Sequence, residues 1–367
     1  MRGSRPEVGE QREVFFEELA RIQLPEQKAA AAAAARFASI AMPLHGLGTL
    51  EEDLVRIAGI QGSPEIRLRA RKLFVFCADN GIVRQGVTQT GQEVTCAVCE
   101  HLANGGSAVN RMAALADCAV VPVDVGVAGH PAGKGILRRK VRTGTRDFTE
   151  EPAMTEEETL AALAVGMKLA RAEKEQGTEL LLAGEMGIGN TTTSAALTAA
   201  LLQRPAAELV GRGAGLSDAG LLRKRQVVEA GLRLHDRRRG DTLGLLAALG
   251  GFDLAALAGF MIGAALEQMP LLLDGVITEA AALVAVKLAP GVRNYLFASH
   301  CSADPLAAVL LQALGLQPLI AAGLHLGEGT GAVAALPLLD MAEAVYCGAD
   351  SFWKLGIAPY EEQEDGR

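Results

Sequence analysis

From Lys72 onward the chain alternates two kinds of segment. Short continuous apolar runs, LFVFCA, CAVVPVDV, ELLLAG, PLLL, NYLFAS and PLIAAGLHL, are separated by longer stretches in which apolar residues recur at helical spacing. A strand that is apolar on both faces belongs in a parallel sheet covered by helices on both sides, so the pattern predicts an α/β fold. Residues 1 to about 70 read differently. Phe15 to Ile22 is amphipathic, Ala29 to Ala35 is an unbroken alanine run, and Leu50 to Ile60 carries another helical stripe, with the turn-rich stretch Pro43 to Gly48 between them. Thr155 followed by Glu158 is a capping box, which predicts a helix starting near Glu156. The last residues, YEEQEDGR, read as a frayed acidic tail.

In an open α/β sheet the ligand lies beyond the carboxyl ends of the strands. Here the apolar runs lead into Asp79-Asn80-Gly81, Asp124-Val125-Gly126, Glu185-Met186-Gly187, Asp274-Gly275, Ser299-His300 and Glu328-Gly329-Thr330-Gly331. Five of these six place a carboxylate next to or close before a glycine. Glycine lets a ligand approach the backbone, and the carboxylate offers an acceptor or a base.

Two of these sites are sharper than the rest. In GEMGIGNTTT, residues 184–193, a glycine-rich turn leads into the hydroxyl-bearing run Thr191 to Ser194 and then an alanine-rich helix, whose first N–H groups suit an anion. No lysine follows the last glycine, so it is not a P-loop, and it is not G-x-G-x-x-G either. An ordinary strand-to-helix turn with a threonine cap fits the same residues. In Gly327-Glu328-Gly329-Thr330-Gly331 a carboxylate between glycines at the last strand is poorly hydrated, which raises its pKa toward that of a general base. A carboxylate satisfied by turn amides is the alternative.

Composition narrows the partners. The chain has 367 residues, 42 of them glycine, with only 10 Phe, 3 Tyr and 1 Trp, so stacking platforms for single-stranded nucleic acid are not expected. A formal charge of -8 argues against nucleic acid as a partner, without forbidding a small phosphate met locally. The N-terminal stretch lacks the apolar core of a signal peptide, and the apolar region from Leu243 to Leu273 is broken by Asp253, Glu267 and glycines, so no membrane association and a cytoplasmic location are expected. Six cysteines are then expected to stay reduced. Cys96, Cys99 and His101 have metal-ligand spacing but no second pair nearby, and they read as the packing face of a helix; no metal and no cofactor is expected. Neighbours such as His300 and Cys301 on an extended chain point to opposite sides, which weakens a thiol–histidine pair. Arg237 to Arg239 reads as a solvated helix end, and Arg223 and Arg225 as surface charges or ligand contacts. Asp253 and Asp274 either tie loops through backbone amides or touch ligand.

These residues carry a family likeness. GEMGIGNTTTSAAL, GGFDLAALAGFMIGAA, LLLDGVITEAAAL, SHCSADP and LGEGTGAVAALPLLD resemble, in order, motifs of the nicotinate-nucleotide:dimethylbenzimidazole phosphoribosyltransferases. With CADNG, PVDVGV and VGRGAGLSDAGLLRKRQVV they extend from about Lys72 to about Asp340.

The resemblance implies transfer of 5-phosphoribosyl from nicotinate mononucleotide to a benzimidazole-type base, yielding an α-ribazole 5'-phosphate for the lower ligand of cobalamin. It also implies a Rossmann-like large domain over residues 71–340, a small helical domain built from residues 1–70 and 341–367, and a homodimer. Carried onto this chain, Glu328 is the general base and Glu185 sits near the ribose and scissile bond. Gly187, Gly189, Asn190, Thr191, Lys224, Ser302, Gly329, Thr330 and Gly331 are assigned to the phosphoribosyl group. Asp79, Asn80, Thr90, Val98 and Leu326 are assigned to the base pocket. Asn80 replaces a usual histidine, MPLHGLG replaces a turn resembling KPPGSLG, and Thr90 and Val98 stand where serine and glutamine occur, substitutions that bear on the base accepted more than on the reaction. A phenolic or purine acceptor, or binding without chemistry, are the alternatives. A dinucleotide oxidoreductase is disfavoured by the missing turn motif.

Overall fold

A computed structural model describes residues 8–361; Met1 to Glu7 and the end of the acidic tail lie outside the described residues. Seven parallel strands form one sheet: β1 (Arg71–Ala78), β2 (Ala119–Gly126), β3 (Leu137–Arg138), β4 (Leu180–Met186), β5 (Leu271–Leu273), β6 (Leu296–His300) and β7 (Pro318–Ile320). Their order is β3-β2-β1-β4-β5-β6-β7, a doubly wound, Rossmann-like arrangement that reverses direction between β1 and β4. A crevice opens beyond the carboxyl ends of β4, β5 and β6, on one side of that reversal. Central strands are buried on both faces, which is why they read as unbroken apolar runs.

Two features of the pattern come out differently. The run PLIAAGLHL gives a strand of only three residues, Pro318–Ile320; residues 321–329 form an irregular segment in which Gly323 takes a φ of +68°. Glu328 therefore follows a loop rather than a strand end. The helix after β4 begins at Asn190, capped by Gly189 at φ +96°, so Thr192, Thr193 and Ser194 lie inside it and are buried. Of that hydroxyl run, Thr191 alone lines the crevice.

The capping box is present as predicted: Thr155 Oγ1 accepts from Glu158 N at 3.1 Å and Glu158 Oε2 accepts from Thr155 N at 2.8 Å, starting the helix Glu156–Glu175. That helix crosses Phe252–Leu266 at backbone contact, since a β-carbon on Gly259 would stand 2.0 Å from the Leu163 carbonyl oxygen. Of the three N-terminal helices, Gln27–Ser39 and Thr49–Gln61 meet the C-terminal end of the chain, while Val8–Leu19 lies against the helix Glu156–Glu175, Arg12 pairing with Glu156 at 3.1 Å. Ile40 bridges to Ser351, Arg36 donates to the Ala349 carbonyl, and the Phe37 and Tyr346 rings lie 4.8 Å apart. The helix Thr330–Gly348 runs unbroken through position 340, linking the sheet to these terminal helices. Among the described residues it is the one helix long and apolar enough to cross a membrane. It packs on the sheet instead, and its Asp340 pairs with the buried Arg71 at 2.6 Å.

Candidate active site

The crevice holds a cavity of about 290 Å³. Its walls are the segments following β4, β5 and β6, the loop from Val87 to Thr90, the turn Arg212 to Leu216 with Lys224, and the segment His325 to Gly327. Of the residues singled out in the sequence, Glu185, Gly187, Gly189, Asn190, Thr191, Lys224, Ser302, Thr90 and Leu326 line it. Lys224 is buried, donates to Thr191 Oγ1 at 2.8 Å, and has its pKa lowered to about 8 by burial against the opposing charge of Asp304. A lysine 33 positions along the chain thus reaches the start of the helix after β4. An ammonium, a hydroxyl and a helix N-terminus converge there, which suits a phosphate.

At the other end of the cavity Glu185 and Asp274 reach the lining, with Asp253 and Glu328 packed beside them and outside it. Glu185 is fully enclosed, and burial raises its pKa to about 8 despite the hydrogen bond donated by Asn190 Nδ2. The same Asn190 amide donates to Asp253 Oδ2 at 3.2 Å, and burial raises Asp253 to about 6. Glu328 adopts φ +60°, unusual for a residue with a β-carbon, and burial raises its pKa above the ordinary range. Its Oε2 is buried without a hydrogen-bond partner. A β-carbon on Gly327 would stand 2.9 Å from Glu185 Oε1, so the Glu328 turn leans over Glu185.

Asp274 holds that turn. Its Oδ2 accepts from Gly329 N at 3.0 Å and its Oδ1 from Gly331 N at 2.7 Å, while Thr330 N donates to the Gly327 carbonyl at 3.0 Å. Gly329, Thr330 and Gly331, assigned to the phosphoribosyl group from the sequence, lie outside the cavity lining, and their amides are engaged in the turn that carries Glu328. Asp274 therefore ties a loop through backbone amides.

Three residues assigned to the base pocket stand outside the cavity lining. Asp79 is buried at the end of β1, accepting from Ala128 N at 2.7 Å. Asn80 is buried behind the Gly187–Gly189 turn, donating to the Ile188 carbonyl at 3.5 Å. Val98 is half-buried on the helix Glu93–Ala103 and packs against the core. On the same helix Cys99 is buried against Cys77, and among the described residues no group of three His, Cys, Asp or Glu side chains is arranged around a common metal position. Arg212, Asp304 and His325 line the cavity without having been singled out, because each comes from a loop with no periodic signal of its own.

A profile described as phosphoribosyltransferase matches residues 22–357. A nicotinate-nucleotide–dimethylbenzimidazole phosphoribosyltransferase of Thermus thermophilus is 46% identical over 325 residues, covering 88% of this chain and 96% of that protein. Its counterpart from Roseiflexus is 41% identical, covering 94% of this chain and 98% of the other. The crystal structure of CobT from Thermus thermophilus superposes with a TM-score of 0.85 at 44% identity, over 90% of this chain and 99% of that one. Sequence, fold and the ordered motifs around the crevice agree: the chain belongs to the nicotinate-nucleotide–dimethylbenzimidazole phosphoribosyltransferase family.

Proposed function

We propose that this chain transfers 5-phosphoribosyl from nicotinate mononucleotide to a benzimidazole-type base, with Glu328 as general base. The donor's phosphate lies toward Lys224, Thr191 and Ser302, which orients C1' toward the carboxyl-rich end. One ring nitrogen of the acceptor attacks C1' while Glu328 takes the proton from its other nitrogen. The bond from C1' to the pyridinium nitrogen breaks, its electron pair returns to the ring, and nicotinate leaves. A cationic leaving ring and a ribosyl centre that gains positive charge are matched by Glu185, Asp253 and Glu328. Burial raises the pKa values of all three, and a cation beside them favours their ionised forms.

The observation that carries this reading is Glu328 itself. It is held at positive φ by a turn that Asp274 fastens, with one oxygen buried and unpartnered. Such a carboxylate is short of hydrogen bonds until a donor such as an acceptor N–H arrives. Thr90, Met186 and Leu326 give the cavity an apolar share suited to a flat base. A homodimeric assembly is part of the same proposal. The test is release of free nicotinate from nicotinate mononucleotide and dimethylbenzimidazole. Wild-type protein is expected to release it only with both present, and Glu328→Gln to lose turnover by ~100-fold or more while the donor KM stays near its original value. Binding of both compounds without nicotinate release would make the chain a binding protein.

A further inference from the structure

His300 ends β6, is buried, and lines the cavity between Gly275 and Ser302. Its tautomer follows from its neighbours. Ser299 Oγ donates its one proton to the Asp274 carbonyl oxygen at 3.1 Å. The same oxygen lies 3.0 Å from His300 Nδ1, where it can only accept, so Nδ1 carries the proton. Gly331 packs flat against this side of the ring: a β-carbon there would stand 2.0 Å from Nδ1.

Nε2 is left as a bare acceptor on the cavity side, where a β-carbon on Gly275 would lie 3.4 Å from it. Among the described residues nothing donates to it. We infer that His300 Nε2 accepts a hydrogen bond from a ribose hydroxyl of the phosphoribosyl donor. The inference deepens the proposed function and rests on it for the identity of the donor. Its chemistry selects the partner within the donor, because a neutral acceptor nitrogen repels phosphate oxygens and binds an O–H. Burial lowers the imidazole pKa, with Asp274 opposing, which keeps the ring neutral as the geometry requires. His300 thereby reads the sugar, while Lys224 and Thr191 face the phosphate end.

The experiment compares kcat/KM for nicotinate mononucleotide and its 2'-deoxy and 3'-deoxy forms in the full-length enzyme. Wild type is expected to lose about tenfold or more on one of the two deoxy donors. His300→Ala should lose a similar factor on the normal donor and show no preference for that hydroxyl. His300→Gln, whose amide oxygen reaches the Nε2 position, should recover part of the preference. Ser299→Ala, which keeps the ring but frees its tautomer, should weaken the preference as well. Equal losses by His300→Ala on all three donors, or a wild type indifferent to both hydroxyls, would overturn the inference while leaving phosphoribosyl transfer standing. If wild type releases no nicotinate, that reading falls instead. Calorimetry of ribose 5-phosphate against 2-deoxyribose 5-phosphate and 3-deoxyribose 5-phosphate, in wild type and His300→Gln, then decides the contact without turnover.

Discussion

Replacing Glu185 by glutamine isolates what burial does to a carboxyl at the end of β4. In the folded chain burial raises this group from 4.5 to about 8, with the Asn190 amide opposing and Asp253, Asp274 and Glu328 adding to it. Below about pH 4.5 folded and unfolded chains both hold the proton, and the displacement costs no stability. Between pH 4.5 and 8 the unfolded chain releases the proton while the folded chain keeps it, so stability is lost progressively across that window. The full displacement corresponds to ~5 kcal/mol at 1.36 kcal/mol per pH unit. Neighbouring acids share protons with Glu185, so the part that one substitution recovers is ~2–4 kcal/mol. Glutamine is neutral, nearly isosteric, and keeps an oxygen for Asn190. Urea denaturation followed by far-ultraviolet circular dichroism should find Glu185→Gln more stable than wild type at pH 8, with the gap closing near pH 5. The same variant should lose turnover, since the stability comes from removing a group the reaction uses. A stability difference independent of pH between 5 and 8 would refute the reasoning, because it would mean that Glu185 ionises in the fold as it does in the open chain.

Three further outcomes are expected. Because burial raises the Glu328 pKa in the free protein, the acid limb of kcat/KM should lie above the ordinary glutamate value of 4.5, the rate falling as pH drops through it, as a kcat/KM–pH profile will read. Lys224→Met should raise the donor KM by ~10-fold or more, and the wild-type KM should climb as pH passes about 8, a climb absent from the variant in steady-state kinetics. Gly259→Ala should cost ~3 kcal/mol or more, seen as a lowered thermal midpoint, since its methyl carbon would lie 2.0 Å from the Leu163 carbonyl oxygen.

Much of the architecture is legible in the chain's own pattern, because strand burial and helix capping are set by residues a few positions apart. The double-sided burial of β1, β2 and β4 shows as continuous apolar runs, and Thr155 with Glu158 announces its helix. Carboxylates after the strands are visible for the same reason, Glu185 among them. The segment after β7 departs from its pattern because an apolar composition does not distinguish a strand from a loop packed beside a ligand cavity.

Only the tertiary structure decided the rest. Sheet order sets β4, β5 and β6 side by side so that their ends share one cavity, and no local period encodes that order. Asp274 captures the amides of Gly329 and Gly331 from 55 and 57 residues away, which fastens the turn that carries Glu328. Asp79 and Asn80 carry the right chemistry at a strand end, yet pack one layer behind the cavity wall. The protonation of Glu185 and the tautomer of His300 depend on burial and on neighbours brought from distant segments. Residue types and local periodicity therefore determine which groups are available, whereas long-range packing determines which of them keep a free lone pair or proton facing the substrate.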